Sequence, residues 1–311
     1  MGGAGYLRTA LEGKQRLRAS SYCGQLSMDK LFTPKQVGQA LGVSESSVKR
    51  WCDSGRVRAA RTAGGHRKVP LSSIVKLIRE SGQAPVRPEV VGLVATAGKS
   101  NPAANRDELY AALMAGDESS CRNMLLSFYQ QGHSIIELGD ELIGPVMCQV
   151  GDNWQSEEIR IHHERRASEV IVATLHEVRQ WLEPASPEAP LALCATAMQD
   201  FAQAPIRLVE LVLRDAGWNT VMAGSGLPVD EIAAAIQQRN PQLVCLSLTH
   251  LENVNDYIEQ HNRVFNDELL RDRKLVVGGG VFKQEHIKQL RCDLFAHQLA
   301  AIKPLLQLYS P

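Results

Sequence analysis

The sequence contains no run of about 18 consecutive apolar residues, the length that a membrane-spanning helix needs. Its seven cysteines show no Cys-x-x-Cys spacing, and an odd number without that pairing is typical of reduced thiols inside a cell. The first 27 residues have scattered charges and lack the apolar core of a signal peptide. These absences predict a cytoplasmic protein without a membrane segment. No Ser-His-Asp pattern or carboxylate cluster indicates catalysis.

The chain also lacks a net charge, but this zero combines two opposite parts. Residues 1–79 hold 15 Lys and Arg against 4 Asp and Glu, a net charge of +11. The remaining residues hold 19 against 30, a net charge of −11. A basic front part on an acidic remainder favours a nucleic-acid-binding head with a neutral or self-associating body. The length of 311 residues predicts two or three domains.

Two helix starts lie close together in the basic part. Thr33-Pro-Lys-Gln36 has a capping residue, a proline at the first helical position and a glutamine as the reciprocal cap. Val37 and Leu41 fall on one face of this helix, and Gly42 ends it. Ser44 is a natural cap for a second helix two residues later, so the chain must turn sharply. This arrangement predicts a helix-turn-helix.

The second helix has an outward face of the kind that reaches phosphates and base edges. Val48 and Trp51 are three residues apart and are predicted to pack inward. The outward positions are Ser46, Ser47, Lys49 and Arg50. Gly64 and Gly65 then permit a tight hairpin. Its flanking residues are Arg61, His66, Arg67 and Lys68. Helix and hairpin together predict a winged helix-turn-helix.

These residues occur in the order and spacing of the MerR-type DNA-binding domain. The matching segments are Phe32-Thr33, Leu41-Gly-Val-Ser44, Val48-Lys-Arg-Trp51, Gly55, Arg61-Thr62 and Gly64-Gly-His-Arg-Lys68. Residues 30–80 therefore resemble that domain, which implies binding to double-stranded DNA. The implied contact residues are Thr33, Ser44, Ser46, Ser47, Lys49, Arg50, Arg61, His66, Arg67 and Lys68. The alternative is a basic helical hairpin with a solvated face.

Composition divides the rest of the chain. Residues 1–29 are predicted to be a flexible tail, and 81–105, with Gly and Pro, a linker. Within this linker, residues 90–95 fit either a strand or a packed loop. Four amphipathic stretches predict a helical bundle over 106–183. They lie at 107–115, 119–131, 135–152 and 159–181.

Strand and helix patterns alternate from residue 190 to the end, which predicts a flavodoxin-like α/β domain with a five-stranded parallel sheet. The predicted strands are 191–197, 220–223, 243–248, 274–277 and 293–296. The predicted helices are 205–216, 229–238, 253–265, 283–290 and 299–308. Ligands of such sheets bind beyond the carboxyl ends of the strands. Cys194 and Cys245 lie within apolar strands and are predicted to be core residues.

Behind a MerR-type head, this body resembles the adenosylcobalamin-dependent repressors of the CarH type. Trp154, nine intervening residues and Glu164 match the bundle motif of that family up to its last position. Ser247-Leu-Thr249 and Gly278-Gly-Gly280 match its serine loop and glycine turn, and Leu213-Arg-Asp-Ala-Gly-Trp218 matches the end of its first α/β helix. The resemblance implies that Trp154 and Glu164 cover the upper corrin face. It also implies that Ser247, Thr249, Gly278 and Gly279 hold the nucleotide tail.

The departures from that family fall where cobalt would be. Its Asp-x-His-x-x-Gly motif lies over Asp200-Phe-Ala-Gln-Ala-Pro205, so Ala202 occupies the position of the lower axial histidine. Alanine cannot coordinate a metal. The histidine that follows Glu164 in the family is Arg165 here, and Gln155 stands where the photoreceptors have another histidine.

Three interpretations of the body stay open. In the first, it binds a cobalamin whose own base, or no base, lies below cobalt. In the second, it binds another tetrapyrrole or a nucleotide-bearing ligand, with His162, His163 and His250 as possible ligands and Arg165 as a carboxylate partner. In the third, it binds no ligand and serves oligomerisation or partner docking.

The sequence as a whole predicts a DNA-binding transcription regulator whose operator affinity depends on oligomerisation through the body. A homodimer or homotetramer is expected, because one head offers few base contacts and useful specificity needs heads on neighbouring half-sites. A corrinoid carrier for methyl transfer would share the two-part body. A DNA-reading head would serve such a carrier no purpose.

Overall fold

A computed structural model describes residues 30–96 and 101–307. The predicted flexible tail, 1–29, and Leu308 at the end of the last predicted helix lie outside the described residues. A helix-turn-helix head is followed by a helical bundle and then by an α/β domain with a five-stranded parallel sheet. The predicted fold class is therefore confirmed. None of the helices in the described ranges has the length and apolarity to cross a membrane.

The head combines three helices with a small antiparallel sheet. Its elements are β1 (Leu31–Phe32), α1 (Pro34–Leu41), α2 (Glu45–Asp53), β2 (Ala60–Arg61), β3 (Arg67–Pro70) and α3 (Leu71–Ser81). The strand order is β1-β3-β2; β1 pairs with the carboxyl end of β3, next to α3, and β2 pairs with the amino end of β3, next to the hairpin turn. The sequence did not predict β1, because two residues are too few to show a strand period. Val37, Val48 and Ile74 form the centre of the small core.

The predicted caps of α1 and α2 are confirmed. Thr33 and Gln36 form a reciprocal capping box at the start of α1, and Gly42 ends that helix with a φ of 70°. The Ser44 side chain accepts a hydrogen bond from the Ser47 backbone at the start of α2. The two caps therefore fix the sharp turn that sets α2 across α1.

The segment after α3 packs against the head. The backbone N–H groups of Val86 and Arg87 donate to the Ala40 carbonyl at 2.8 and 3.1 Å. A single 3-10 turn, Pro88–Val91, then packs on α1, and Val91 is fully buried. Between the two open alternatives for residues 90–95, the structure therefore shows a packed loop.

The bundle contains four helical stretches, as predicted. They are α4 (Arg106–Ala115), α5 (Glu118–Gln130), a broken third stretch with α6 (Ile135–Glu137) and α7 (Gly144–Gln155), and α8 (Ile161–Trp181). Six residues between α6 and α7, Leu138–Ile143, form wider π-helical turns. Both carboxylate oxygens of Asp140, in this segment, accept backbone N–H groups of the α/β domain: Leu299 at 2.8 Å and Ala300 at 2.9 Å.

The α/β domain has the strand order β5-β4-β6-β7-β8, with all strands parallel. Its elements are β4 (Leu191–Ala197), α9 (Gln203–Asp215), β5 (Asn219–Leu227), α10 (Val229–Arg239), β6 (Leu243–Ser247), α11 (Val254–Val264), α12 (Asp267–Leu270), β7 (Lys274–Gly278), α13 (Gln284–Ile287), β8 (Leu294–Ala296) and α14 (Lys303–Gln307). The strand β5 continues beyond its predicted end through two glycines with positive φ, where its register with β4 shifts. Cys194 and Cys245 are buried partners on β4 and β6, as predicted.

The head is docked on the bundle through α3. Arg79 places its guanidinium 3.8 Å from the ring centroid of Tyr129. It also donates to the carbonyls of Tyr129 and, at 2.9 Å, His133. Lys76 and Ser73 reach Glu183 at 2.7 and 3.2 Å.

A single side chain joins this contact to the third domain. The Tyr129 hydroxyl donates to Asp215, at the end of α9, at 3.2 Å. Tyr129 therefore contacts the head, the bundle and the α/β domain.

A buried carboxylate joins the bundle to the α/β domain. Glu210 on α9 is 1% exposed and lies within 3.2 Å of guanidinium nitrogens from Arg179, Arg207 and Arg214. Burial alone would raise the pKa of Glu210, but the three guanidinium groups outweigh burial and hold that pKa below its ordinary value. Glu210 is therefore charged at neutral pH.

Candidate functional site

The outward face of α2 is open. Ser46, Lys49 and Arg50 are exposed, and the one ion pair on this face joins Lys49 to Glu45 at 2.8 Å. An exposed pair four residues apart on a helix contributes only a few tenths of a kcal/mol, so Lys49 can leave it for a phosphate. The predicted contact residues of the second helix therefore share one accessible surface.

Thr33 and Ser44, two of the predicted contact residues, cap their own helices. The Thr33 hydroxyl bonds with Gln36 at 3.0 Å. The Ser44 hydroxyl lies 2.8 and 2.9 Å from those of Ser46 and Ser47. Both residues therefore position their helices, whatever else they contact.

The wing is a short exposed hairpin. Gly65 donates to the Thr62 carbonyl at 2.8 Å and has a φ of 77°, which allows the tight turn. Arg61 and His66 are exposed, and Lys68 is half-buried. Arg67 instead turns back towards α2, where its Nε and Nη2 lie 3.0 and 2.7 Å from Asp53 Oδ1.

Three further cations of the head are exposed but were not among the predicted contact residues. They are Lys35 on α1, and Arg56 and Arg58 between α2 and the wing. Arg56 lies 5.3 Å from the ring centroid of Trp51, a contact that holds it beside α2. The net charge of the head was the signal for these residues, because they belong to no motif.

The carboxyl ends of β4, β6 and β7 bring six predicted cofactor residues together. Asp200 is 1% exposed, and Thr249 Oγ1 donates to it at 3.1 Å. The backbone N–H groups of Thr249 and His250 donate to its Oδ2, and that of Ala202 to its Oδ1 at 3.0 Å. Asp200 thus closes the loop after β4 onto the loop after β6.

Ser247 and the glycines lie beside this closure. Ser247 ends β6 and is 4% exposed. A Cβ added to Gly279 would overlap the Leu248 carbonyl, and one added to Gly278 would lie 2.8 Å from the Ala296 carbonyl. The close approach of neighbouring strand exits therefore requires both glycines.

The remaining predicted cofactor residues lie on the bundle, at the turn between α7 and α8. Trp154 is 40% exposed at the end of α7. Glu164 Oε1 accepts from Ser168 at 3.1 Å. Its Oε2 is buried and accepts no hydrogen bond from any residue that the structure describes. Arg165 Nε lies 3.3 Å from Glu164 Oε2 but outside hydrogen-bond geometry, so the two groups interact through their charges alone.

The two candidate histidines of α8 are stacked. The rings of His162 and His163 are 4.0 Å apart, and His163 Nδ1 accepts the Arg160 backbone N–H at 3.3 Å. Within the described ranges, no three or more His, Cys, Asp and Glu residues are grouped to hold a metal ion.

The residues therefore fit a corrinoid in one respect and not in another. Exposed Trp154 and Ile161 offer an apolar face, and the Glu164 oxygen that accepts no hydrogen bond adds one polar acceptor. In the α/β domain, Ala202 offers no side-chain nitrogen, and the oxygens of Asp200 already accept hydrogen bonds from the chain itself. The arrangement suits a ligand held by its ring and tail, and not one whose metal the protein ligates.

Three family models match the chain. A helix-turn-helix domain matches residues 31–82, and two B12-binding domain models match residues 106–178 and 190–297. No curated protein matches the chain.

A solved structure has a similar fold over about two thirds of the chain. A Methanosarcina barkeri monomethylamine corrinoid protein is 18% identical, with a TM-score of 0.55, over 66% of this chain and 99% of the other. A cobalamin-binding protein from Desulfitobacterium hafniense DCB-2 is 19% identical over 66% and 98% of the chains. Its TM-score of 0.35 is too low to support an argument.

Proposed function

Because this chain joins a helix-turn-helix domain to the two domains of a B12-binding module, we propose that it is a DNA-binding transcription regulator with a corrinoid-type sensor. In its finer form, the proposal is a MerR- and CarH-type regulator. The observation that carries it is the open face of α2, with Ser46, Lys49 and Arg50 exposed on a strongly basic head.

In the proposed complex, α2 lies in the major groove and its outward side chains contact base edges and phosphates. The exposed wing cations Arg61 and His66 and the half-buried Lys68, together with Lys35 and Arg58, contact the phosphate backbone. Thr33 and Ser44 set the two helices, and Arg67 holds the wing. This division of roles follows from the helix caps that Thr33 and Ser44 form and from the bonds of Arg67 to Asp53.

Operator affinity is proposed to depend on self-association of the body as a homodimer or homotetramer. A single head of this size contacts few base pairs, whereas two heads on half-sites about one helical turn apart gain specificity from both. The ligand that controls this association is proposed to be a cobalamin between bundle and α/β domain, without a protein ligand to cobalt. Trp154 and Glu164 would cover its upper face.

A second candidate is a ligand-free or other-tetrapyrrole-binding regulator. It is favoured by Asp200, whose oxygens close the loops after β4 and β6 on each other, and by Ala202. In this case the body would serve oligomerisation or partner docking.

Selection of duplexes from a random library on the full chain, followed by fluorescence anisotropy, tests the DNA-binding function. Arg50→Ala should weaken binding to the selected duplex roughly ten-fold or more if it reads a base. Arg61→Ala should lower the salt slope by about one. The control is Arg239→Ala, an exposed cation on α10 of the body. Equal affinity of Arg50→Ala, Arg239→Ala and the parent would overturn the assignment of α2.

The same protein, incubated with adenosylcobalamin and freed of excess by gel filtration, tests the sensor. If the body binds a cobalamin, the filtered protein should retain visible absorption. Its oligomer mass by light scattering, measured before and after illumination, should depend on the ligand. Trp154→Ala should reduce retention. A colourless parent with unchanged mass would favour the second candidate.

A further inference from the structure

An acidic side chain lies in the middle of the basic surface. Between residues 30 and 79, the acidic residues are Glu45 and Asp53. Asp53 is the last residue of α2, and its side chain is 48% exposed. Its Oδ1 lies 2.7 Å from Arg67 Nη2 and 3.6 Å from Arg61 Nη2, both on the wing. A carboxylate at this place lowers the attraction to any duplex, because it repels phosphate.

Outside its base, where β1 pairs with Val69 and Pro70, few other contacts hold the wing. Its ladder consists of two residue pairs, Ala60 with Lys68 and Arg61 with Arg67. Every residue from 60 to 66 is exposed, so apolar burial fixes the hairpin only at its base, where Val69 is buried. Beyond that base the wing has two strands, and a two-stranded hairpin of this length is at best marginally stable in water without further contacts. The charge-assisted hydrogen bonds of Arg67 with Asp53 connect the wing directly to the end of α2.

We propose that Asp53 is a positioning residue, which fixes the wing relative to α2 and thereby gives sequence specificity at the expense of overall affinity. This inference rests on the proposed DNA-binding function. Asp53 acts through Arg67, whose rigid planar donors hold a fixed geometry that a flexible lysine ammonium does not. With the tie in place, α2 and the wing meet the duplex as one unit.

Asp53→Ala separates positioning from simple charge by the sign of the effect. Affinity for a scrambled duplex should rise, because a negative charge is lost. Affinity for the selected duplex should fall, so that the ratio of specific to non-specific affinity decreases about ten-fold, as expected for the loss of a hydrogen bond to a charged group. Both affinities are measured by anisotropy at one salt concentration.

Glu45→Ala is the matched control, since Glu45 is the other exposed acid of α2 and pairs with Lys49 on the same helix. It should raise both affinities and leave their ratio unchanged. Arg67→Ala should reproduce the loss of specificity, and Asp53→Ala should add nothing in that background. Arg67→Lys should fail to restore the ratio. If Asp53→Ala lowers the melting temperature of the protein, Asp53→Asn replaces it in the test. Asn keeps a carbonyl oxygen in the same place, so it should reduce the specificity ratio less.

The outcomes are distinguishable. If the parent selects no duplex, the proposed function fails, and the inference fails with it. If the parent is selective and Asp53→Ala keeps its ratio, as Glu45→Ala does, the inference alone is wrong. An additive loss of specificity in the double variant would also contradict it.

Discussion

At the scale of single residues, Glu210 is a buried carboxylate that pairs with three arginines. One buried carboxylate faces three arginines from α8 and α9, so its loss leaves their charges uncompensated. Glu210→Gln should lower the free energy of unfolding by about 3 kcal/mol, the usual effect of breaking a buried pair on one side. Denaturant unfolding measures this change. Glu177→Gln, whose pair with Arg122 is partly exposed, should cost less than about 1 kcal/mol.

The same residue gives a pH dependence of known sign. The pKa of Glu210 is lower in the folded than in the unfolded chain, so its contribution is fully present above the unfolded value of about 4.3. It is lost as the pH falls through the lower folded pKa. The stability difference between parent and Glu210→Gln should therefore shrink below about pH 4. A difference that grows with acid would contradict the charged state of Glu210.

Residue-level prediction from the sequence succeeded where the partner is near in the chain. The Thr33–Gln36 box and the Ser44 cap were predicted because capping partners stand three residues apart. The ties of Asp53 to Arg67 and of Asp200 to Thr249 span 14 and 49 positions. No rule of sequence spacing predicts such contacts. The long-range geometry of both candidate sites could therefore be seen only in the structure.

Of the elements, the π-helical segment between α6 and α7 has the clearest role. Asp140 accepts the first free N–H groups of the turn at Leu299, so the bundle caps an element of the α/β domain. Asp140→Ala should cost about 1 kcal/mol, as for a lost helix cap, and should speed hydrogen exchange at Leu299 and Ala300. The neighbouring exposed Glu141→Ala is the control. Unchanged exchange in Asp140→Ala would refute this capping role.

The sequence predicted which helices and strands of the bundle and the sheet are present, but it did not predict where some of them end. The four bundle helices and five sheet strands show strong periodicity, and all were located. The extension of β5 through Gly224 and Gly226 was missed, since glycines usually mark a break and here mark a register shift within the strand. The third bundle helix read as continuous, because the sequence pattern does not distinguish π from α turns over six residues.

At the scale of the whole molecule, the contact between head and body is the feature that a sequence pattern cannot show. Arg79→Ala removes the stacking on Tyr129 and two carbonyl contacts. It should speed exchange of α3 amides and leave the central strands β4 and β6 unchanged. Tyr129→Phe, which loses only the bond to Asp215, should affect the end of α9 and spare α3. The control is Arg122→Ala, within the bundle, which should change exchange neither in α3 nor at the end of α9. If α3 amides exchange equally in Arg79→Ala and the parent, the head is held by other contacts.

The opposite net charges of the basic head and the acidic body give the molecule an electric dipole. In the field of a nearby polyanion, such a dipole experiences a torque, and the protein turns its cationic end forward before any atom touches. Diffusing copies would then arrive already oriented, and fewer encounters would be wasted. Salt shortens the range of this electrostatic attraction to about 8 Å at 0.15 M ionic strength. The association rate should therefore fall as salt is added, even where the contacts of the bound complex are unchanged.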